Sequence, residues 1–144
     1  MTVLTQAICR LLLPASIMVA LAIMVKGYAD TGDGFSAGLI VSLGVLIQYV
    51  AFGQKLPGQM VIVRKANALS RVGLLLALSV AFVPVLFGKP VLTHWPPAGE
   101  HATHLGALEF ITPVAFDIGV FLLVIGFAVS VVNLIALTID RGQV

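Results

Sequence analysis

Asp117 is the residue on which chemistry would turn. It stands inside the apolar run from about Phe110 to Ile139, where an ionised carboxylate costs about 2.5 to 3.5 kcal/mol even on lenient insertion scales. A carboxyl at such a depth is either a proton or cation relay or a group held by a hydrogen bond or an ion pair. Lys26, whose span ends on the same side, is a possible partner. A rise of 1.5 Å per residue from Phe110 puts Asp117 about 10 Å along its helix, in the outer half and short of the midplane. Glu109 lies eight residues earlier, about 80° round the helix and about 12 Å away, so the two carboxylates do not form one tight site. Pro113 has no amide hydrogen and leaves the Glu109 carbonyl without a helical donor, which points to a helix start or a local opening. In the simpler reading Glu109 is a first-turn acid favoured by the helix dipole.

The other candidates carry less. His94, His101 and His104 share one loop without a cysteine, so they read as solvated histidines and no metal site is expected. Cys9 is the single cysteine and reads as a small buried residue. Gly32-Asp33-Gly34-Phe35 has the form of a glycine turn opening a helix, whose N-terminus can receive an anion, but no phosphate-binding lysine motif follows. Asn133 at membrane depth needs a hydrogen-bond partner, which a neighbouring helix would supply. No catalytic constellation and no cofactor are expected. The eight basic residues form no dense stripe, which argues against nucleic acid.

The elements that must position Asp117 follow from composition. Of 144 residues 60% are apolar and 10% charged, and mean hydropathy is +1.12. Soluble domains carry about a quarter charged residues, and a domain this small exposes roughly a third of its chain surface. The chain is therefore expected to be a single all-α integral membrane domain. Its four transmembrane helices are expected at about 7–28, 35–53, 72–88 and 110–139. Cleavage of the first span as a signal peptide is disfavoured by Lys26 and by the three spans that follow.

Six cations, Arg10, Lys55, Arg64, Lys65, Arg71 and Arg141, fall on one side of this layout, against Lys26 and Lys89 on the other. The positive-inside rule then places both termini and the 54–71 loop in the cytoplasm. Helices in lipid meet where small residues let backbones approach. Gly34, Gly38 and Ser42 recur every four residues, as do Ser16 and Ala20, while Gly119, Gly126 and Asn133 recur every seven. These stripes predict helix contacts, including contacts to other chains.

Two stretches resemble a known family, the small B-type (MnhB/MrpB) membrane subunits of the Mrp-type, also called Mnh, multisubunit cation/proton antiporters. Gly27-Tyr28-Ala29-Asp30-Thr31-Gly32-Asp33-Gly34-Phe35-Ser36-Ala37-Gly38-Leu39 is similar to that family's glycine-rich turn before a helix. Glu109-Phe110-Ile111-Thr112-Pro113-Val114-Ala115-Phe116-Asp117-Ile118-Gly119-Val120 resembles its glutamate followed by the segment that opens its last helix. Thr31 stands where the family usually has proline, Asp33 where it has the middle glycine, and Tyr28-Ala29 where histidine-asparagine is common, so this turn is more acidic.

The resemblance implies a small multi-pass subunit of a cell-membrane complex exchanging Na+ or another monovalent cation for H+. Its partners would be other antiporter subunits, including large complex-I-like ones, and the lipid bilayer. It carries over only Glu109, Asp117 and the glycines Gly27, Gly32, Gly34 and Gly38; Lys26, Asp33 and Asn133 are possible polar partners read from the residues themselves. It also leaves open the corresponding subunit of a related assembly such as a membrane-bound hydrogenase. A stand-alone four-helix exporter would want an acid in its first helix, which is missing here. A membrane enzyme would want clustered histidines, cysteines or catalytic pairs.

Overall fold

The computed structural model describes residues 3–26, 32–53, 57–92, 104–105, 108–109, 112–140 and 142. They form α1 (Val3–Lys26), α2 (Gly34–Phe52), a 3-10 turn (Pro57–Gln59), α3 (Val61–Leu86), β1 (His104–Leu105), β2 (Leu108–Glu109) and α4 (Thr112–Asp140). All four α-helices are long and apolar enough to cross a bilayer. β1 and β2 pair antiparallel with His104 opposite Glu109.

α1 begins at Val3, about a turn earlier than the expected 7, and two further boundaries differ in ways that matter for the site. α3 begins at Val61, not 72, so most of the stretch expected as a 54–71 loop is helical. Arg64, Lys65 and Arg71 end the apolar run, but Arg, Lys and Ala are good helix formers, and Ala66 is buried against its neighbours. α4 begins at Thr112, which leaves Glu109 in β2 and not in a first helical turn. Pro113 suits the opening turn because the N–H it lacks has no helical acceptor there.

The extensive seams join α1 to α2, α2 to α4, and α4 to α3. The helices thus stand in an open row in that order. α2 and α4 run parallel, with Gly34 beside Asp117 and Tyr49 bonded to Asn133. The other two pairs run antiparallel. Apolar side chains gain little by leaving lipid for one another, so the seams depend on close backbone approach. A Cβ on Gly44 would stand 2.9 Å from Ser16 Oγ, and one on Gly38 2.9 Å from Val124 Cβ. On the α3–α4 seam, a Cβ on Gly119 would stand 2.8 Å from the Ala77 nitrogen, and one on Gly73 2.6 Å from the Gly119 carbonyl. The α4 stripe divides accordingly: Gly119 and Gly126 face α3, whereas Asn133 turns to α2.

Polar side chains tie the same seams. Gln48 Nε2 donates to the Cys9 carbonyl at 2.5 Å, and Cys9 itself is buried. Tyr49 Oη donates to Asn133 Oδ1 at 2.8 Å, and Ser130 Oγ to Asn67 Oδ1 at 2.8 Å. Tyr49→Phe keeps the ring and removes the donor. The expected loss is about 0.6 to 1.7 kcal/mol, read from unfolding in mixed SDS micelles; an unchanged unfolding curve would mean the bond contributes nothing.

Candidate functional site

The two stretches singled out in the sequence meet in space. The turn before α2 holds Gly32 at φ +124°, a conformation that L side chains rarely adopt. Its N–H donates to Asp117 Oδ2 at 2.8 Å. Gly34 packs so closely on Asp117 of α4 that an added Cβ would collide with the Asp117 carbonyl oxygen. Asp33 occupies the N-cap position of α2 but its side chain makes no capping bond. The group that meets this helix N-terminus is therefore the Asp117 side chain, supplied from another helix, at the end where the α2 dipole favours negative charge. Lys26 ends α1 exposed, on a helix whose extensive seam is with α2, and the described partner of the Asp117 side chain is the Gly32 N–H.

Asp117 also lines a cavity of about 280 Å³ with Gly32, Val80, Leu92, Thr112, Pro113 and Phe116. Pro84 of α3 lacks the N–H that would bond the Val80 carbonyl,. The cavity thus sets the Asp117 carboxyl and Thr112 among mostly apolar residues, beside the turn of α3 that Pro84 interrupts. The chain leaving α3 reaches this cavity at Leu92, after a turn in which Gly88 at φ +70° donates to the Val85 carbonyl at 3.0 Å. Leu92, at φ 60°, is held by an N–H bond to the Ala81 carbonyl at 3.2 Å.

Comparison with known proteins bears on the same stretches. A family model described as "Domain related to MnhB subunit of Na+/H+ antiporter" matches residues 4–130. The chain belongs to the MnhB family.

Among MnhB relatives, the Na(+)/H(+) antiporter B subunit of Alkalihalophilus pseudofirmus is 30% identical over 138 residues, covering 92% of this chain and 88% of that protein. The Na(+)/H(+) antiporter B subunit of Bacillus subtilis is 31% identical over 118 residues, 78% of each. A Rhizobium meliloti protein, named as a probable K(+)/H(+) antiporter A/B subunit, is 31% identical over 134 residues, 90% of this chain; the chain spans 13% of its length. Family membership and four spanning helices make this a multi-pass membrane protein and a component of a transport system.

The remaining residues of interest divide by position. Gly32, Gly34 and Gly38 all lie on the turn or the α2 face that meets α4. Glu109 is placed only by its backbone in β2, and Gly27, His94 and His101 lie outside the described residues. Sequence reasoning passed over Gln48, 2% exposed and bonded to α1, and Tyr49, bonded to α4. The available signal was a Gln-Tyr pair inside an uncharged run, where each polar group must find a partner. It also passed over Arg71, which the predicted layout assigned to a loop.

Proposed function

We propose that this chain is the B-type subunit of an antiporter complex of several different chains, which exchanges Na+ or another monovalent cation for H+ across the cell membrane. Membership of the MnhB family along residues 4–130 carries the reading. The junction of the glycine turn with Asp117 supports a specific part for the chain, in which the outer-end cavity forms a stretch of the cation path and Asp117 is its charged group. The row of helices presents broad exposed apolar faces, such as Leu11, Met18 and Leu21 on α1 and Leu75 and Phe82 on α3. These fit a chain that works against other subunits, large complex-I-like ones among them. Arg10, Arg64 and Lys65 lie toward the end of the row opposite Lys26 and Lys89, which under the positive-inside rule supports a cytoplasmic location for both termini.

The test is expression of the chain with its co-encoded subunits in a host lacking its own antiporters. Everted vesicles should then release protons on addition of Na+ or K+, and omission of this chain alone should abolish the release. Cation-dependent proton exchange by the purified single chain in liposomes would overturn the subunit reading. The same vesicles decide between Na+ and K+, the two ions in the relatives' names.

A further inference from the structure

Arg71 stands at a depth its sequence context conceals. The neighbouring Ser70 packs its backbone on Gly126, which is fourteen residues from either end of the α4 helix, Thr112–Asp140. That is about 21 Å from each end, against a half-thickness of about 15 Å for the hydrocarbon core. The cation is therefore level with the middle of the span, and snorkelling shortens its distance to either surface by only one side-chain length. It borders an open groove of about 640 Å³ between α3 and α4, whose polar lining is Asn67, Ser70, Arg71, Ser130 and Asn133. Arg71 Nε donates to the Asn67 carbonyl at 3.2 Å, and Asn67 Oδ1 accepts from Ser130 Oγ, which fixes the base of the side chain at the groove.

We propose that this groove receives a transmembrane helix of a neighbouring subunit that carries an aspartate or glutamate, and that this carboxylate pairs with Arg71. The inference rests on the subunit reading above. Charge complementarity selects the occupant, because a cation at this depth is expensive unless paired or hydrated, and the described residues supply no acid to it. Asp117 lies nine residues along α4, about 13 Å away, and accepts its bond from Gly32. Asp140 lines the other groove, between α2 and α4, and Asp33 sits at the far end of α2. Arg64 and Lys65, on the same helix, add positive charge. A phospholipid headgroup cannot meet the guanidinium at mid-depth, whereas a side chain on a spanning helix can. Phe127, Val131 and Leu134 flank the polar residues with exposed apolar surface against which such a helix would pack.

The experiment places the photo-crosslinking residue p-benzoylphenylalanine at Phe127 and illuminates membranes containing the chain with its co-encoded subunits. The expected adduct is a peptide from another subunit, within a spanning segment and no more than one helical turn from an Asp or Glu. Arg71→Glu should lower recovery of the assembled complex about tenfold or more, and a Lys in place of that acid should restore it. Adducts with lipid alone, with a second copy of this chain, or with a segment lacking an acid would overturn the proposal, as would unchanged assembly of Arg71→Glu. Failure of the wild-type chain to co-purify with its co-encoded subunits would sink both readings. Normal co-purification with lipid-only adducts would sink this one alone.

Discussion

Gly126→Leu is expected to abolish the folded chain. A Cβ alone at this position would stand 2.6 Å from the Ala66 carbonyl oxygen and 2.7 Å from Ser70 Cα. Both obstacles belong to backbone, so no rotamer change relieves the contact and the two helices must part. Parting them breaks the Ser130–Asn67 bond at 2.8 Å and the approach of Gly73 to Gly119 one turn and more beyond. Overpacking by a methylene or two costs about 1 to 3 kcal/mol where side chains can shift; here they cannot, and the cost lies at or above the top of that range. Gly126→Ala should give an intermediate loss. Gly58, with open space around its Cβ position, provides the control, since Gly58→Ala should leave stability unchanged. The measurement is the yield of monodisperse protein in detergent and its melting temperature. A Gly126→Leu chain with the wild-type melting temperature would refute the α3–α4 seam.

The heptad that includes Gly126 was legible because packing in lipid selects small residues, and small residues are visible as spacing. Its partner stripe was not, because Ala66, Ser70, Gly73 and Ala77 begin among Arg64, Lys65 and Arg71, where apolarity fails. Hydropathy measures transfer of single residues into lipid, and it ends a helix at a charge. The chain continues the helix because backbone bonding and the fit to Gly126 outweigh one exposed guanidinium. Four spans and their apolar centres followed from the apolar runs along the chain, whereas the row order α1–α2–α4–α3 depends on contacts between distant residues that no local spacing encodes. Gly34 and Gly38 were readable as a stripe, but that α4 rather than α1 receives them was not.

The candidate site shows the same division. Asp117 stood out as the one acid inside a span, and the glycine turn stood out as the opening of a helix able to receive an anion. That the carboxylate is the anion required the parallel alignment of α2 and α4, which brings residues 32 and 117 together across 85 positions of sequence. Lys26 was a plausible partner by side of the membrane, yet the extensive seam of α1 is with α2. An uncharged backbone N–H holds the carboxylate instead. The described partner of Asp117 is thus a neutral N–H and not a cation, and that is what distinguishes it from an ordinary structural ion pair.

This pairing makes the role of Asp117 separable by two substitutions. Asp117→Asn retains an oxygen that accepts the Gly32 N–H, so the turn and the start of α2 stay in place while the charge is lost. Asp117→Leu removes charge and acceptor together and leaves the Gly32 donor unpaired, at a cost of about 1 to 3 kcal/mol. If the carboxylate serves only as a cap, the asparagine chain performs like the wild type and the leucine chain loses assembly. If it is the charged group of the cation path, the asparagine chain assembles normally and exchange falls. The expected outcome is the second, with cation-dependent proton release in everted vesicles reduced about a hundredfold per assembled complex, the scale on which loss of a proton-transferring group acts. Asp117→Leu should add a loss of complex on blue native gels. Near-normal exchange by Asp117→Asn in a fully assembled complex would reduce Asp117 to a structural cap on α2 and remove it from the cation path.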